Sequence, residues 1–327
     1  MKRPSLVIVT PALREANNGN WQTAQRWARI LRGDYRVRLA AGWQVGDEAL
    51  MIALHARRSA AAVAAWRQQR GKAPLMLVLT GTDLYRDINH DPAAQRSLAL
   101  ADRLWVLNEL GLDSLPLALR SKARVCLQSC PTRQPQPKPM RHLRALMVGH
   151  LREEKSPQTY FDAALQLAQR HDILLDHVGG ALDPALAEQA RQLARDQPHY
   201  RWLGTLPHAA TRARIAAATL LVHPSRMEGG AHVVMEAITS GTPVLASRID
   251  GNLGLLGLDY PGIFEPGDAA GLVRLLQQAR DDATMLPGLA AACAARAPLF
   301  APERERQTLL AGVRQMLDHP DSFGDTA

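Results

Sequence analysis

Cysteine, aromatic side chains and long apolar runs are all scarce in this chain. Three cysteines occur, Cys126, Cys130 and Cys293. An odd set without a regular framework excludes a disulfide-stapled secreted scaffold and fits a reducing cytoplasm. Cys126 and Cys130 could be two metal ligands, yet no matching second pair accompanies them, and ordinary thiols are the simpler reading. No acidic pair or histidine cluster is set out for magnesium, manganese or zinc, so no metal and no cofactor is expected. The alanine-rich stretch Ala60 to Ala65 falls far short of the roughly 20 apolar residues that cross a bilayer, so no membrane partner is expected. Nor is a leader peptide: Lys2 and Arg3 run straight into the first apolar strand, and no small-residue cleavage site follows. Aromatic residues make up 5% of the chain against 46% hydrophobic residues in all. Alanine and leucine therefore supply much of the apolar material, which favours helices packed on sheets.

What the chain has in excess is positive charge, +8 net. The basic residues are scattered, with no compact basic helix and no alternation with aromatics, so nucleic acid is the weaker partner class. A cleft for phosphorylated small molecules accounts for the same sign with fewer assumptions. At 327 residues the chain exceeds the usual size of one core, and two domains are expected.

The most informative stretch runs from Ser225 to Ala246. A loop carrying Glu228, Gly229 and Gly230 enters a short helix, about Ala231 to Ser240. Gly241 stands where a helix-ending glycine belongs, Pro243 blocks continuation, and Val244 to Ala246 reads as a buried strand. Backbone N–H groups at such a helix start suit a phosphate, and Glu228 and Glu236 suit sugar hydroxyls. A plain strand–loop–helix unit with a glycine turn serves the spacing equally well.

In chain order, Ser5 to Thr10 reads as a strand and Trp21 to Leu31 as a helix, joined by a polar loop with Arg14, Asn18, Gly19 and Asn20. The layout is phosphate-loop-like, without the Gly-x-Gly-x-x-Gly of dinucleotide sites. Further strands are expected at Tyr35 to Ala40, Ala49 to Leu54, Pro74 to Leu79, Arg103 to Leu107 and Ala123 to Leu127. Arg57 and Arg58 follow the third strand, and Thr80 to Arg86 follows the fourth. Those are the strand ends where open α/β sheets bind ligands, although solvated arginines opening a helix would look the same. Four prolines at positions 131, 135, 137 and 139 read as a stiff linker. The expected division is therefore a first domain over 1–138, a second domain over 142–300, and a helix in 301–327 that returns toward the first domain.

In the second half, Ala145 to Gly149 reads as a strand. His150 to Ser156 follows, with Ser156 as N-cap before Pro157. Lys155 is a candidate for diphosphate, an exposed lysine beside Glu153 and Glu154 being the alternative. Strands at Ile173 to Val178, Tyr200 to Gly204 and Thr219 to His223, with helices at Asp183 to Arg195 and Ala209 to Ala218, lead back to the central stretch.

The ordered set Trp202-Leu203-Gly204, Leu221 to Pro224, Ser225-x-x-Glu228-Gly229, Glu236-Ala237 and Gly241-Thr242-Pro243-Val244 resembles retaining nucleotide-sugar glycosyltransferases of the GT-B fold. The resemblance covers most of the chain. It implies an α/β fold of two Rossmann-like domains facing across a cleft, with 1–138 on the acceptor side and 142–300 on the nucleotide-sugar side. It also implies that Glu236 holds the nucleotide ribose, Glu228 contacts the transferred sugar, and Lys155 stabilises the departing diphosphate. Backbone from Gly204 to Leu206 would lie near the base. The donor would be a UDP-sugar, a substrate rather than a cofactor. Two departures stand out: His150 replaces the arginine usual five positions before the lysine, and Thr80 replaces the histidine usual before Gly81. A histidine supplies less fixed charge at neutral pH.

More narrowly, the Val-Thr-Pro-Ala run with Asn18-Gly19-Asn20, the run Thr80-Gly81-Thr82-Asp83-Leu84-Tyr85, and His150 through Lys155 resemble the selenosugar synthases of selenoneine biosynthesis. That family implies UDP-N-acetylglucosamine as donor and selenophosphate as the selenium source. A small anionic acceptor would then be guided by Arg14, Arg57, Arg58 and Arg86, with Thr80 where a general base is not needed. A hydroxyl or thiol acceptor is the alternative within the fold. A non-catalytic nucleotide or nucleic-acid binding protein is the alternative outside it.

Overall fold

The computed structural model describes residues 3–12 and 19–318. The chain divides into two compact units, Met1–Gln128 with Pro302–Ala327, and Ser129–Ala301. The boundary thus falls at Gln128/Ser129, ahead of the proline-rich segment rather than after it. The prolines do not make a free spacer. Arg133 N–H donates to Thr239 O, Arg212 donates to Pro131 O at 2.8 Å, and Lys138 Nζ donates to Ala216 O at 2.6 Å. Burial lowers the Lys138 ammonium to about 8. Segment 129–139 is a strap bound along the second unit. The helix Pro302–Asp318 belongs to the first unit.

The first unit carries six parallel strands: β1 (Ser5–Val9), β2 (Arg36–Ala40), β3 (Leu50–Leu54), β4 (Leu75–Leu79), β5 (Arg103–Val106) and β6 (Ala123–Val125), in the order β2-β1-β3-β4-β5-β6. The runs Leu-Met-Ile-Ala-Leu and Leu-Met-Leu-Val-Leu are apolar at every position because β3 and β4 are buried on both faces. Alternate residues face opposite layers. Val7, Met51, Leu77 and Val106 share one buried layer with Trp43 and Trp66, whereas Ile8, Ile52, Met76 and Trp105 share the other with residues of the helices Gly19–Leu31 and Pro302–Asp318. Several of the few aromatics are spent here: Trp27 and Trp105 stack edge-on at 5.7 Å, Trp43 and Trp66 at 5.0 Å. Glu305 is buried between Arg26 Nε (3.0 Å) and Trp27 Nε1 (2.7 Å).

The second unit repeats the plan with β7 (Leu143–Val148), β8 (Ile173–Val178), β9 (Tyr200–Trp202), β10 (Leu220–His223), β11 (Val244–Ser247) and β12 (Ile263–Phe264), ordered β12-β11-β10-β7-β8-β9 and again parallel. Helices Pro92–Leu100, Asp250–Leu256 and Met285–Arg296 and a π-turn at Asp83–Asp87 are not marked by the sequence pattern. In each sheet the strand order reverses beside the first strand of that unit. The two switch points lie between β1 and β3, and between β7 and β10. In open parallel sheets, the crevice beyond the carboxyl ends at such a point is where ligands bind.

Candidate functional site

At the switch point of the second unit, the loops after β7 and β10 bring opposite charges together. After β7 the chain makes a 3-10 turn, Glu153–Lys155; after β10 it passes Pro224 to Gly230. The two loops are tied by Arg226 N–H donating to Glu154 O at 2.8 Å. Lys155 Nζ forms an ion pair with Glu228 Oε1, and His223 Nε2, from the last residue of β10, lies 3.3 Å from the same oxygen. Burial acts to raise the Glu228 carboxyl, but Lys155 and His223 outweigh it and hold it well below the usual carboxylate range. Burial keeps His223 low, so a neutral imidazole faces that carboxylate. Two close backbone approaches fix the frame. A Cβ on Gly251 would stand 1.9 Å from Glu228 O, and one on Gly179 would stand 1.8 Å from Gly149 O. Only glycine fits either place.

Glu236 lies on the helix His232–Ile238 and is 2% exposed. Its Oε1 meets His208 Nε2 at 2.6 Å, His232 Nδ1 at 3.3 Å and Arg212 Nε at 3.7 Å. Burial alone would raise this carboxyl; the two histidines bring it down to about 2. Gly241 ends the segment at φ +67, the left-handed backbone expected of it. The helix starts at His232, so Gly229 and Gly230 lie in the loop before it, and the expected start at Ala231 is one residue early.

Around this pair, His150 accepts the Gly180 N–H through Nδ1 at 2.9 Å, which leaves Nε2 to carry the proton. Burial, with Arg152 and Lys155 nearby, lowers its pKa, so His150 supplies no fixed charge there. Ser156 does not cap the helix Pro157–Gln166 with its side chain. Its backbone is left-handed, φ +48, and its hydroxyl pairs with Thr159 Oγ1 at 2.9 Å, because Pro157 already removes one N–H needing a cap. Gly204, at φ +65, accepts the Gly179 N–H at 2.9 Å, and Leu206 is half-buried two residues on.

The first unit arranges its switch point differently. Asp83, fully buried, accepts the N–H groups of Thr80, Gly81 and Ala56, each at 2.9 Å. Asp83 thereby orients neighbouring loops, and Thr80 is held by that turn. His55 adopts φ +74, a costly backbone for a non-glycine residue, and its Nε2 lies 3.1 Å from Thr82 Oγ1. Arg57 Nε and Arg86 Nε each lie 3.1 Å from a different oxygen of the buried Asp87. Arg57 and Arg86, expected to guide an anionic acceptor, thus share one carboxylate between two positive charges. Arg58 is exposed. Gly19 opens the first helix, and a methyl group on it would meet no atom within 4 Å; Arg14 and Asn18 lie outside the described residues.

The sequence pattern does not single out His55, Asp87, His208, Arg212, His223 or His232. For His232 a signal exists, since it stands four residues before Glu236 on one helix face. Among the described residues, no group of three or more His, Cys, Asp or Glu side chains is arranged to hold a metal ion, and no single helix is long and apolar enough to cross a membrane.

The profile of the family described as glycosyl transferases group 1 matches residues 131–297, more than half of the chain. The D-inositol 3-phosphate glycosyltransferase 1 of Catenulispora acidiphila is 30% identical over 186 residues, covering 53% of this chain and 44% of that protein. The match thus spans less than half the length of that relative. The sucrose-phosphate synthase of Thermosynechococcus elongatus superposes with a TM-score of 0.78 at 18% identity over 97% of this chain and 100% of the other. Alr3699/HepE of Anabaena, solved in complex with UDP and glucose, superposes at 0.77 and 16% identity over 95% of this chain and all of that one. At such identities the likeness speaks to the fold, and the α/β class with two Rossmann-like units is the one observed.

Proposed function

The chain belongs to the glycosyl transferases of group 1, and from that premise we propose that it transfers a sugar from a UDP-sugar donor held by the second unit. The observation that carries this reading is the Lys155–Glu228 pair beside the switch point of β7 and β10, with Glu236 eight residues further on. The bound UDP and glucose of Alr3699/HepE support a nucleotide-sugar donor.

Chemically, the C1–O bond to UDP breaks with its electron pair on the diphosphate. Lys155 offers fixed positive charge where that negative charge develops. Glu228, kept ionised, faces the sugar as positive character grows at C1 and accepts hydrogen bonds from its hydroxyls. Glu236 accepts from the ribose hydroxyls. We further propose selenophosphate as acceptor and UDP-N-acetylglucosamine as donor. A selenium lone pair forms the C1–Se bond, and water then cleaves the P–Se bond to release phosphate. The selenium nucleophile is already ionised and needs no general base, which accords with Thr80 in place of histidine. Arg57, Arg58 and Arg86 supply positive charge in excess of Asp87 at the first unit's strand ends.

The test incubates the protein with UDP-N-acetylglucosamine and fresh selenophosphate and follows UDP release, mass and the anomeric NMR signal. A selenium-containing N-acetylhexosamine with equal UDP is the expected product. Transfer to a hydroxyl of a phosphorylated polyol, with selenophosphate inert, overturns the selenium acceptor and leaves the transferase reading standing. No consumption of any UDP-sugar and no affinity for UDP overturns both.

A further inference from the structure

Three basic side chains converge on one oxygen of Glu236, but they are not equivalent. Arg212 is 7% exposed, and its far end donates to Pro131 O at 2.8 Å and lies 3.1 Å from Cys130 Sγ. His232 presents Nδ1 to Glu236 at 3.3 Å and Nε2 to Ser129 O at 3.2 Å. Both ring nitrogens thus face acceptors. Each of these two residues spans from the carboxylate to the strap, Ser129 to Pro131, at the start of the second unit. His208 is different. Its side chain is 67% exposed, and it sits at the first position of the helix His208–Ala217.

We propose that Arg212 and His232 are positioning residues that fix the Glu236 carboxylate from the strap for ribose recognition, and that His208 is the contact that yields when a nucleotide binds. The proposal rests on the reading of Glu236 as the ribose acceptor. A buried carboxylate aligns two vicinal hydroxyls only if it stays ionised and cannot rotate. Two groups anchored at both ends supply the charge and the orientation. An exposed histidine at 2.6 Å supplies a hydrogen bond but fills space that a hydroxyl requires. Without its basic neighbours, burial pulls the carboxyl toward its neutral form, which accepts hydrogen bonds poorly.

The readout is the ratio of affinities for UDP and for 2′,3′-dideoxy-UDP, measured by calorimetry. This ratio isolates the ribose hydroxyls, so a merely structural role would weaken both ligands alike and leave it unchanged. Wild type is expected to favour UDP by roughly tenfold to a hundredfold, the usual worth of hydrogen bonds to a charged group. Arg212→Lys and His232→Gln are expected to bind the dideoxy compound as wild type does and to lose most of the preference. His208→Ala is expected to keep the preference and to bind UDP about threefold more tightly. His232→Gln, on a half-exposed side chain, carries the test if the buried Arg212 variant does not fold. A wild type without preference, or Glu236→Gln retaining it, overturns the ribose reading itself. Preference lost in Glu236→Gln but kept in both Arg212→Lys and His232→Gln overturns this proposal alone. Loss in His208→Ala as large as in His232→Gln also overturns it.

Discussion

The two switch points use buried carboxylates in opposite ways. In the first unit Asp83 is consumed by three backbone N–H groups and holds loops in shape. In the second unit Glu228 and Glu236 meet side chains only on the oxygens described, Lys155 and His223 for one, histidines and Arg212 for the other. A carboxylate held by side chains can exchange a partner for a ligand by a rotamer change. One held by backbone amides cannot, without unfolding its turn. Duplicated architecture therefore does not imply duplicated chemistry: the same sheet edge serves rigidity in one unit and exchangeable charge in the other.

The contrast breaks most visibly if Lys155→Ala is mild. Loss of the fixed cation is expected to lower turnover of UDP-N-acetylglucosamine by about a thousandfold, while circular dichroism stays that of wild type. Turnover within about fivefold of wild type would place the charge stabilisation elsewhere. Next in size is Asp83→Ala, which strands three N–H groups; denaturant unfolding should show a loss of about 3 kcal/mol. A well-folded variant with unchanged midpoint would mean that water replaces the carboxylate and that the first-unit loops are not rigid in the sense described.

A third effect concerns His177, buried between Tyr200 Oη (3.1 Å) and Gly149 O (3.0 Å) below the second site. Burial lowers its pKa from 6.5 to about 4. Below pH 6.5 the unfolded chain takes up a proton that the folded chain refuses until about pH 4. The stability contribution is present in full above 6.5 and is lost as the pH falls across that window, by about 3 kcal/mol. His177→Gln should flatten the slope of unfolding free energy between pH 6.5 and 4.5. That window lies above the range in which Glu236 titrates, so an unchanged slope assigns the effect to other groups. The smallest expected effect is at His55. Asparagine tolerates left-handed backbone better than other side chains, so His55→Asn should shift stability by less than about 1 kcal/mol, with His55→Val costing clearly more. Equal losses would show that the ring's bond to Thr82, not the backbone, sets the residue type.

Much of the fold and site is legible in the sequence where residue type and spacing coincide with chemistry. Apolar runs mark β3, β4, β7 and β8 nearly to the residue, and Ile173–Val178 has the ends that its pattern implies. Glu228, Glu236 and Lys155 stand out through the ordered set of short motifs around them, because their spacing alone suits a plain strand–loop–helix unit equally well. What stays hidden depends on topology. Arg212 and Glu236 come from different crossovers, and no local pattern says they meet. The helix Met285–Arg296 is rich in alanine, with little amphipathic contrast to mark it. Prolines 131 to 139 read as a break because proline interrupts regular structure, yet their carbonyls and neighbours are bound along the second unit. Ser156 carries a cap-like identity, and its left-handed backbone is invisible in sequence.

The helix Pro302–Asp318 has a consequence for the order of synthesis. It closes the layer of the first unit that holds Trp27, Leu31 and Trp105, and it brings Glu305 to Arg26 and Trp27. These residues leave the ribosome early, but their cover emerges after the whole second unit has been made. At ordinary translation speeds that delay is on the order of ten to thirty seconds. The amino-terminal half must therefore wait, with two tryptophans uncovered, while the carboxyl-terminal half can already close on itself.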